Sequence, residues 1–201
     1  NLYASGTYKP QISEPITETW RWQKFPELDG KGCQCMLEAH DKCIYFGVTG
    51  GIIRYNGLEW KYFSFGKAFT DIPVVNLCVA SDGTIYAGTS KGIIAFKNEK
   101  WNKLQLDLDF GDPNDFPYNK FPIIETSDKS IWIGSRQGLL RFKNGRYNLY
   151  RNDGLIKDIQ KNPRQKLRKL KPFDVYTIFE DNTGKIWFGL REGYTYNCKF
   201  P

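Results

Sequence analysis

A chain of 201 residues, 40% of them apolar, can bury a core of its own without help from metals or disulfides. No apolar run approaches the ~18 residues that a membrane-crossing helix requires. The formal charge of +7 is local rather than general: segment 157–171 (KDIQKNPRQKLRKLK) carries seven basic residues against one acid, net +6, so the remainder sums to about +1.

The five cysteines, Cys33, Cys35, Cys43, Cys78 and Cys198, are odd in number, so at least one stays outside any intrachain disulfide. Cys33-x-Cys35 fits neither a redox pair nor a zinc knuckle, and His40 is the single histidine, so neither metal nor cofactor is expected. Aromatics at 16% and 19 glycines suit short strands and tight turns.

Residues 1–16 read as an N-terminal extension, and TETWRWQKF at 17–25 alternates like an outer strand. A phrase then recurs: IYFGVTGGIIRY from 44, IYAGTSKGIIAF from 85, IWIGSRQGLLRF from 131 and IWFGLREGYTYN from 186. Each copy is apolar–aromatic–apolar–Gly (Ala87-Gly88 in one), a short variable turn, then a second apolar strand. An apolar strand with a polar turn precedes each copy, as in VVNLCVASDGT and VYTIFEDNTGK, and an aromatic strand follows the first three, as in NGLEWKYFSF and NGRYNLYRN. Asn-Gly and Asp-Gly between alternating stretches are strong hairpin signals. Recurrence every 40–55 residues or so marks a repeat architecture. Four antiparallel strands, a to d, per unit make a β-propeller blade.

The fold expected is therefore all-β, a propeller domain over 17–201 with blade units near 30–65, 74–108, 121–152 and 173–201. The last unit lacks strand d, and 17–25 would supply it, closing four blades within one chain and hiding an exposed edge. A larger ring, or two chains completing one ring, is the rival arrangement.

Three stretches, SDGTIYAGTSKGIIAF (81–96), SDKSIWIGSRQGLLRF (127–142) and DNTGKIWFGLREGYTY, together with YRNDGL at 150–155, resemble the two-component regulator propeller repeat. The resemblance spans nearly all of 30–200. It implies the periplasmic sensor part of a bacterial membrane histidine kinase, with signalling handled by other parts of a longer protein. From the repeat itself, Trp132, Trp187, Tyr45 and Tyr86 share one slot in strand b and are expected to pack between blades. Gly47, Gly88, Gly134 and Gly189 mark close backbone approach rather than a phosphate loop, since no helix follows them.

Turns a–b and c–d are minimal, whereas b–c turns and the long d–a loops share the other end, making that end the expected working face. Arg136 and Arg191 fall at one slot of neighbouring blades and would fork onto a carboxylate, sulfate or phosphate, or else sit solvated or pair with loop aspartates. Lys91, Glu192 and Thr49 on the same turns, and Tyr118 in the loop 107–120, complete the candidate ligand-binding set. Lys161, Arg164, Lys166, Arg168 and Lys169 form a basic loop that would draw an acidic partner, or is simply a solvated insertion. The loop lacks the interleaved aromatics that nucleic-acid binding favours.

No nucleophile, acid or base is singled out by spacing. The reading is a non-enzymatic periplasmic or extracellular sensor for a small polar or acidic ligand, glycan-derived ligands included. It has no nucleic-acid role and meets a membrane only through parts of a longer protein. The alternatives are a protein-interaction or dimerisation scaffold, with a homodimer among its forms, and, below these, a propeller lyase or glycosidase.

Overall fold

Each apolar–aromatic–apolar–Gly stretch is a strand, and each turns tightly into a second. The computed structural model describes residues 21–67, 70–104, 106, 122–136, 138–150, 175–190 and 195–198. Sheet 1 comprises β1 (Cys35–Glu38), β2 (Ile44–Val48), β3 (Gly51–Tyr55) and β4 (Trp60–Ser64); sheet 2 comprises β5 (Val74–Val79), β6 (Ile85–Thr89), β7 (Gly92–Lys97) and β8 (Lys100–Lys103). Sheet 3 comprises β9 (Ile123–Glu125), β10 (Ile131–Ser135), β11 (Gly138–Lys143) and β12 (Arg146–Tyr150); sheet 4 comprises β13 (Val175–Glu180), β14 (Ile186–Leu190) and β15 (Thr195–Cys198). Every pairing is antiparallel and joins strands consecutive in the chain. The molecule is all-β.

Residues 1–30 and 31–201 form two compact units. In the first, the outer strand expected over 17–25 does not form across its described part: Arg21 lies in a 3-10 turn, 22–25 are irregular, and Pro26–Leu28 is a further 3-10 turn. Pro26 has no N–H to give a ladder, and Leu28 N–H turns back to the Phe25 carbonyl at 3.1 Å. Residues 17–20 lie outside the described residues, among which sheet 4 has three strands.

Apolar clusters fill the spaces between successive sheets. Tyr45, Ile52 and Phe63 of sheet 1 meet Val74, Ile85 and Phe96 of sheet 2. Ile93 of sheet 2 meets Ile123, Ile133 and Leu140 of sheet 3, and Trp132 and Leu139 of sheet 3 meet Val175, Ile178 and Phe188 of sheet 4. Two of the strand-b glycines make this approach possible. A Cβ on Gly47 would lie 2.7 Å from Val74 Cγ1, and one on Gly134 would lie 2.8 Å from Val175 Cγ1, each on the next sheet's inner strand.

The a–b turns share one construction. In the first three sheets an aspartate accepts the N–H two residues on: Asp41 from Cys43 (3.0 Å), Asp82 from Thr84 (2.9 Å) and Asp128 from Ser130 (3.0 Å). This Asx geometry is why aspartate recurs there. In sheet 4 the carboxylate comes two positions earlier, from Asp181, which still takes the Thr183 N–H at 2.8 Å.

One residue in each turn takes left-handed φ: Lys42 (64°), Gly83 (80°), Lys129 (66°) and Gly184 (76°). Left-handed backbone costs an L-residue about 1–2 kcal/mol, and glycine nothing of the kind. Lys42→Gly and Lys129→Gly are each expected to stabilise the fold by about 0.5–1 kcal/mol after glycine's unfolded-state entropy is discounted. The check is a rise in urea midpoint at unchanged m-value.

Candidate functional site

The b–c turns of sheets 1 to 3 are two-residue hairpins, set by the pairs Val48↔Gly51, Thr89↔Gly92 and Ser135↔Gly138. Buried hydroxyls lock two of them: Thr89 Oγ1 donates to the Gly92 carbonyl at 2.8 Å, and Ser135 Oγ to that of Gly138 at 2.9 Å. The turn of sheet 1 is tied to its surroundings by Thr49 N–H to Lys31 O and Gly50 N–H to Ile72 O, both 2.9 Å. The frame is hydrogen-bonded in place and its turn residues vary.

At this edge Thr49 and Lys91 are exposed and Arg136 is half-buried. These three predicted residues therefore lie on corresponding turns of consecutive sheets. Beside Lys91, Ser90 Oγ is buried without a hydrogen-bond partner, a polar atom that sequence reasoning did not single out. Tyr176 OH is another, on the bulged residue of β13 between Val175 and Thr177. Arg191, Glu192, Tyr118 and the basic-loop residues Lys161, Arg164, Lys166, Arg168 and Lys169 lie outside the described residues.

The opposite, a–b end holds features that sequence reasoning missed. A cleft of about 250 Å³ between sheets 2 and 3 is lined by Ser81, Asp82, Tyr86, Glu125, Lys129 and Lys143. Another of about 150 Å³ between sheets 3 and 4 is lined by Thr126, Ser127, Asp128, Trp132, Arg141 and Glu180. Across them runs a repeated clamp. Ser81 gives its N–H (2.8 Å) and Oγ–H (3.0 Å) to the two oxygens of Glu125, and Ser127 gives the same pair (2.7 and 2.6 Å) to Glu180. Between sheets 1 and 2 the acid's place is taken by Val79 and the serine's by His40, whose Nε2 donates to the Ala80 carbonyl at 3.1 Å. The sequence signal was Ser-Asp in the a–b turns of sheets 2 and 3 (Ser81-Asp82, Ser127-Asp128) and a glutamate closing strand a of sheets 3 and 4 (Glu125, Glu180).

These acids are held as structural groups. Lys97, at 2.6 Å, holds Asp82 down to about 2, helped by the Thr84 N–H. Asp128 lies well below the usual carboxylate range: burial opposes this, but donors from Thr126, Ser130 and Lys143 outweigh it. Burial pushes the thiol of Cys35 up to about 12 and that of Cys78 up to about 11, and raises Cys33 and Cys43 as well. Such thiols are protonated at neutral pH and are poor nucleophiles. Among the described residues no group of three His, Cys, Asp or Glu side chains could hold a metal ion.

No family model and no curated protein matches the chain. Among solved structures, a catalytically inactive virginiamycin B lyase from Staphylococcus aureus, solved with quinupristin, is 15% identical (TM-score 0.58), covering 89% of this chain and 58% of its own. The extracellular domain of the hybrid two component system BT3049 from B. thetaiotaomicron is 21% identical (TM-score 0.54), with 82% of this chain and 20% of that one covered. YCF48, solved bound to D1 peptide, is 12% identical (TM-score 0.52), with 84% and 51% covered. The chain thus spans about a fifth to three fifths of the lengths of these neighbours. At such identities the likeness establishes the fold alone, that of an all-β chain of propeller-like antiparallel sheets.

Proposed function

We propose that this chain is a non-enzymatic sensor module working in the periplasm or outside the cell, part of a two-component signalling protein. The four sheets are read as consecutive propeller blades, and the b–c edge as the face that meets a small polar or acidic ligand, glycan fragments included. The observation that carries this reading is the constancy of the hairpin frame against the variation of its turn residues: Thr49-Gly50, Ser90-Lys91, Arg136-Gln137. Rigid scaffolds with variable polar turns are how binding surfaces are built. The likeness to an extracellular domain of a hybrid two component system supports it at the level of fold.

Arg136 and Arg191 would fork onto the anionic group, Lys91 would add charge, and the basic loop would raise the ligand's local concentration. Titration calorimetry against uronic-acid oligosaccharides, sulfated sugars and simple carboxylates tests this. The expected result is saturable binding to one of these classes, weakened about tenfold by Arg136→Ala or Arg191→Ala, the loss of one charge-assisted hydrogen bond. Binding indifferent to both arginines, or none in any class, overturns the proposal.

A further inference from the structure

The repeat leaves a matched pair of unfilled half-sites at the two ends of the described array. Trp132 and Trp187 occupy one slot of strand b, in β10 and β14. Trp132, with sheet 4 packed in front of it, is 2% exposed, while Trp187 is 36% exposed. Phe179, paired with Trp187 across β13–β14, is 63% exposed, whereas Leu37 at the same position of β1 packs against the first cluster. Among the described residues, the front of sheet 4 therefore faces no further sheet.

The back of sheet 1 shows the complementary defect. The position filled by buried Leu77, Ile123 and Ile178 in the other sheets is Met36, 70% exposed, and the one filled by Ile85, Ile131 and Ile186 is Ile44, 37% exposed. The clamp is also split between the two ends. Glu38 stands where Glu125 and Glu180 accept from a preceding serine, but it is exposed and, among the described residues, has only a 3.6 Å ion pair to Lys42. Asn182 stands where Ser81 and Ser127 donate to a following glutamate, and it too is exposed. Farther out on the back of sheet 1, Phe46, Val48 and Ile53 are already buried, with Trp60 lying against Phe46, so the open part is the inner, a–b side where the clamp operates.

We infer that two copies of this chain join head to tail, the front of sheet 4 in one seating on the back of sheet 1 in the other. Phe179 and Trp187 cover Met36 and Ile44, and Asn182 donates to Glu38 of the partner subunit. Among the described residues neither half-site is covered, and each end carries what the other lacks. Two sets of four sheets related by a twofold axis close a ring of about eight blades, at the upper end of the usual range. The b–c edge takes no part, so failure of the ligand reading leaves this inference standing, and the reverse.

Sedimentation velocity of the whole chain across the micromolar range is the test. The expected result is a dimer that Trp187→Arg converts to a monomer of unchanged circular dichroism. Glu38→Lys should weaken the dimer by about tenfold or more, as should Asn182→Glu, which sets two like charges opposite each other. The double variant E38K/N182E should recover the wild-type dimer constant, because the pair is again complementary. A monomer throughout the range overturns the inference, as does a dimer indifferent to all three single changes or a double variant without recovery. A monomer whose stability couples Glu38 to Asn182 would mean that the chain closes on itself, which overturns it equally.

Discussion

Trp132→Ala should cost about 3–5 kcal/mol of folding stability, the usual range for deleting a fully enclosed large aromatic. Trp187→Ala, at the same place in the repeat, should cost only about 1–2 kcal/mol in dilute protein. Trp132 is enclosed on every side: Leu139, Val175, Ile178 and Phe188 share its cluster, the Tyr150 ring lies 5.7 Å away, and the Arg141 guanidinium sits 5.7 Å above its face. Removing it opens a cavity between two sheets that neither can collapse into without moving a ladder. Trp187 already shows a third of its surface to solvent and is anchored chiefly by Nε1–H to Asp181 at 2.7 Å. Urea unfolding of both variants reads the difference. Equal losses would mean that the slot, rather than the neighbouring sheet, determines the energy.

The same pair shows how far a sequence can be read. The phrase IWIG/IWFG marked the strand and the aromatic slot in both copies, and at Gly134 the close approach as well, because alternation and turn chemistry are local. Whether the tryptophan is buried depends on a sheet tens of residues away, and the phrase is silent about that. For the same reason the Ser–Glu clamps escaped notice: their partners are 44 and 53 residues apart and belong to different repeats. Aromatic alternation over 17–25 suggested a strand, yet the segment runs into Pro26, and its described part follows the local turn instead. At the b–c edge the turn frame was legible from glycine spacing. What such an edge would bind was not, since the variable turn residues are by definition those the fold does not constrain.

Asp128→Asn should destabilise the chain by about 1–3 kcal/mol at neutral pH, the scale for hydrogen bonds to a charged group, and the loss should vanish in acid. The carboxylate is a hub: Oδ1 accepts from Thr126 Oγ1 (2.7 Å) and Ser130 N (3.0 Å), Oδ2 from Ser130 Oγ (2.8 Å), Arg141 Nη2 (2.6 Å) and Lys143 Nζ (3.0 Å). An amide offers one acceptor oxygen and no charge, so Arg141 would lose its ionic partner while still poised over Trp132. The sign with pH follows from the depressed carboxyl. The unfolded group titrates near ~3.9, while the folded one stays ionised well below that. Its stabilisation is thus fully present above the unfolded value and drains away as pH falls through the folded one. Asp82, held down to about 2, and Asp181, also lowered, add to the same acid limb. Wild-type stability should therefore be flat from neutral pH to about 5 and fall below about 4, with Asp128→Asn following a shallower acid limb that converges on it. Urea midpoints collected down the acid series measure that convergence. A gap that stays constant with pH would mean that Asp128 acts through shape and neutral hydrogen bonding, and that the charge holding Arg141 against Trp132 contributes nothing.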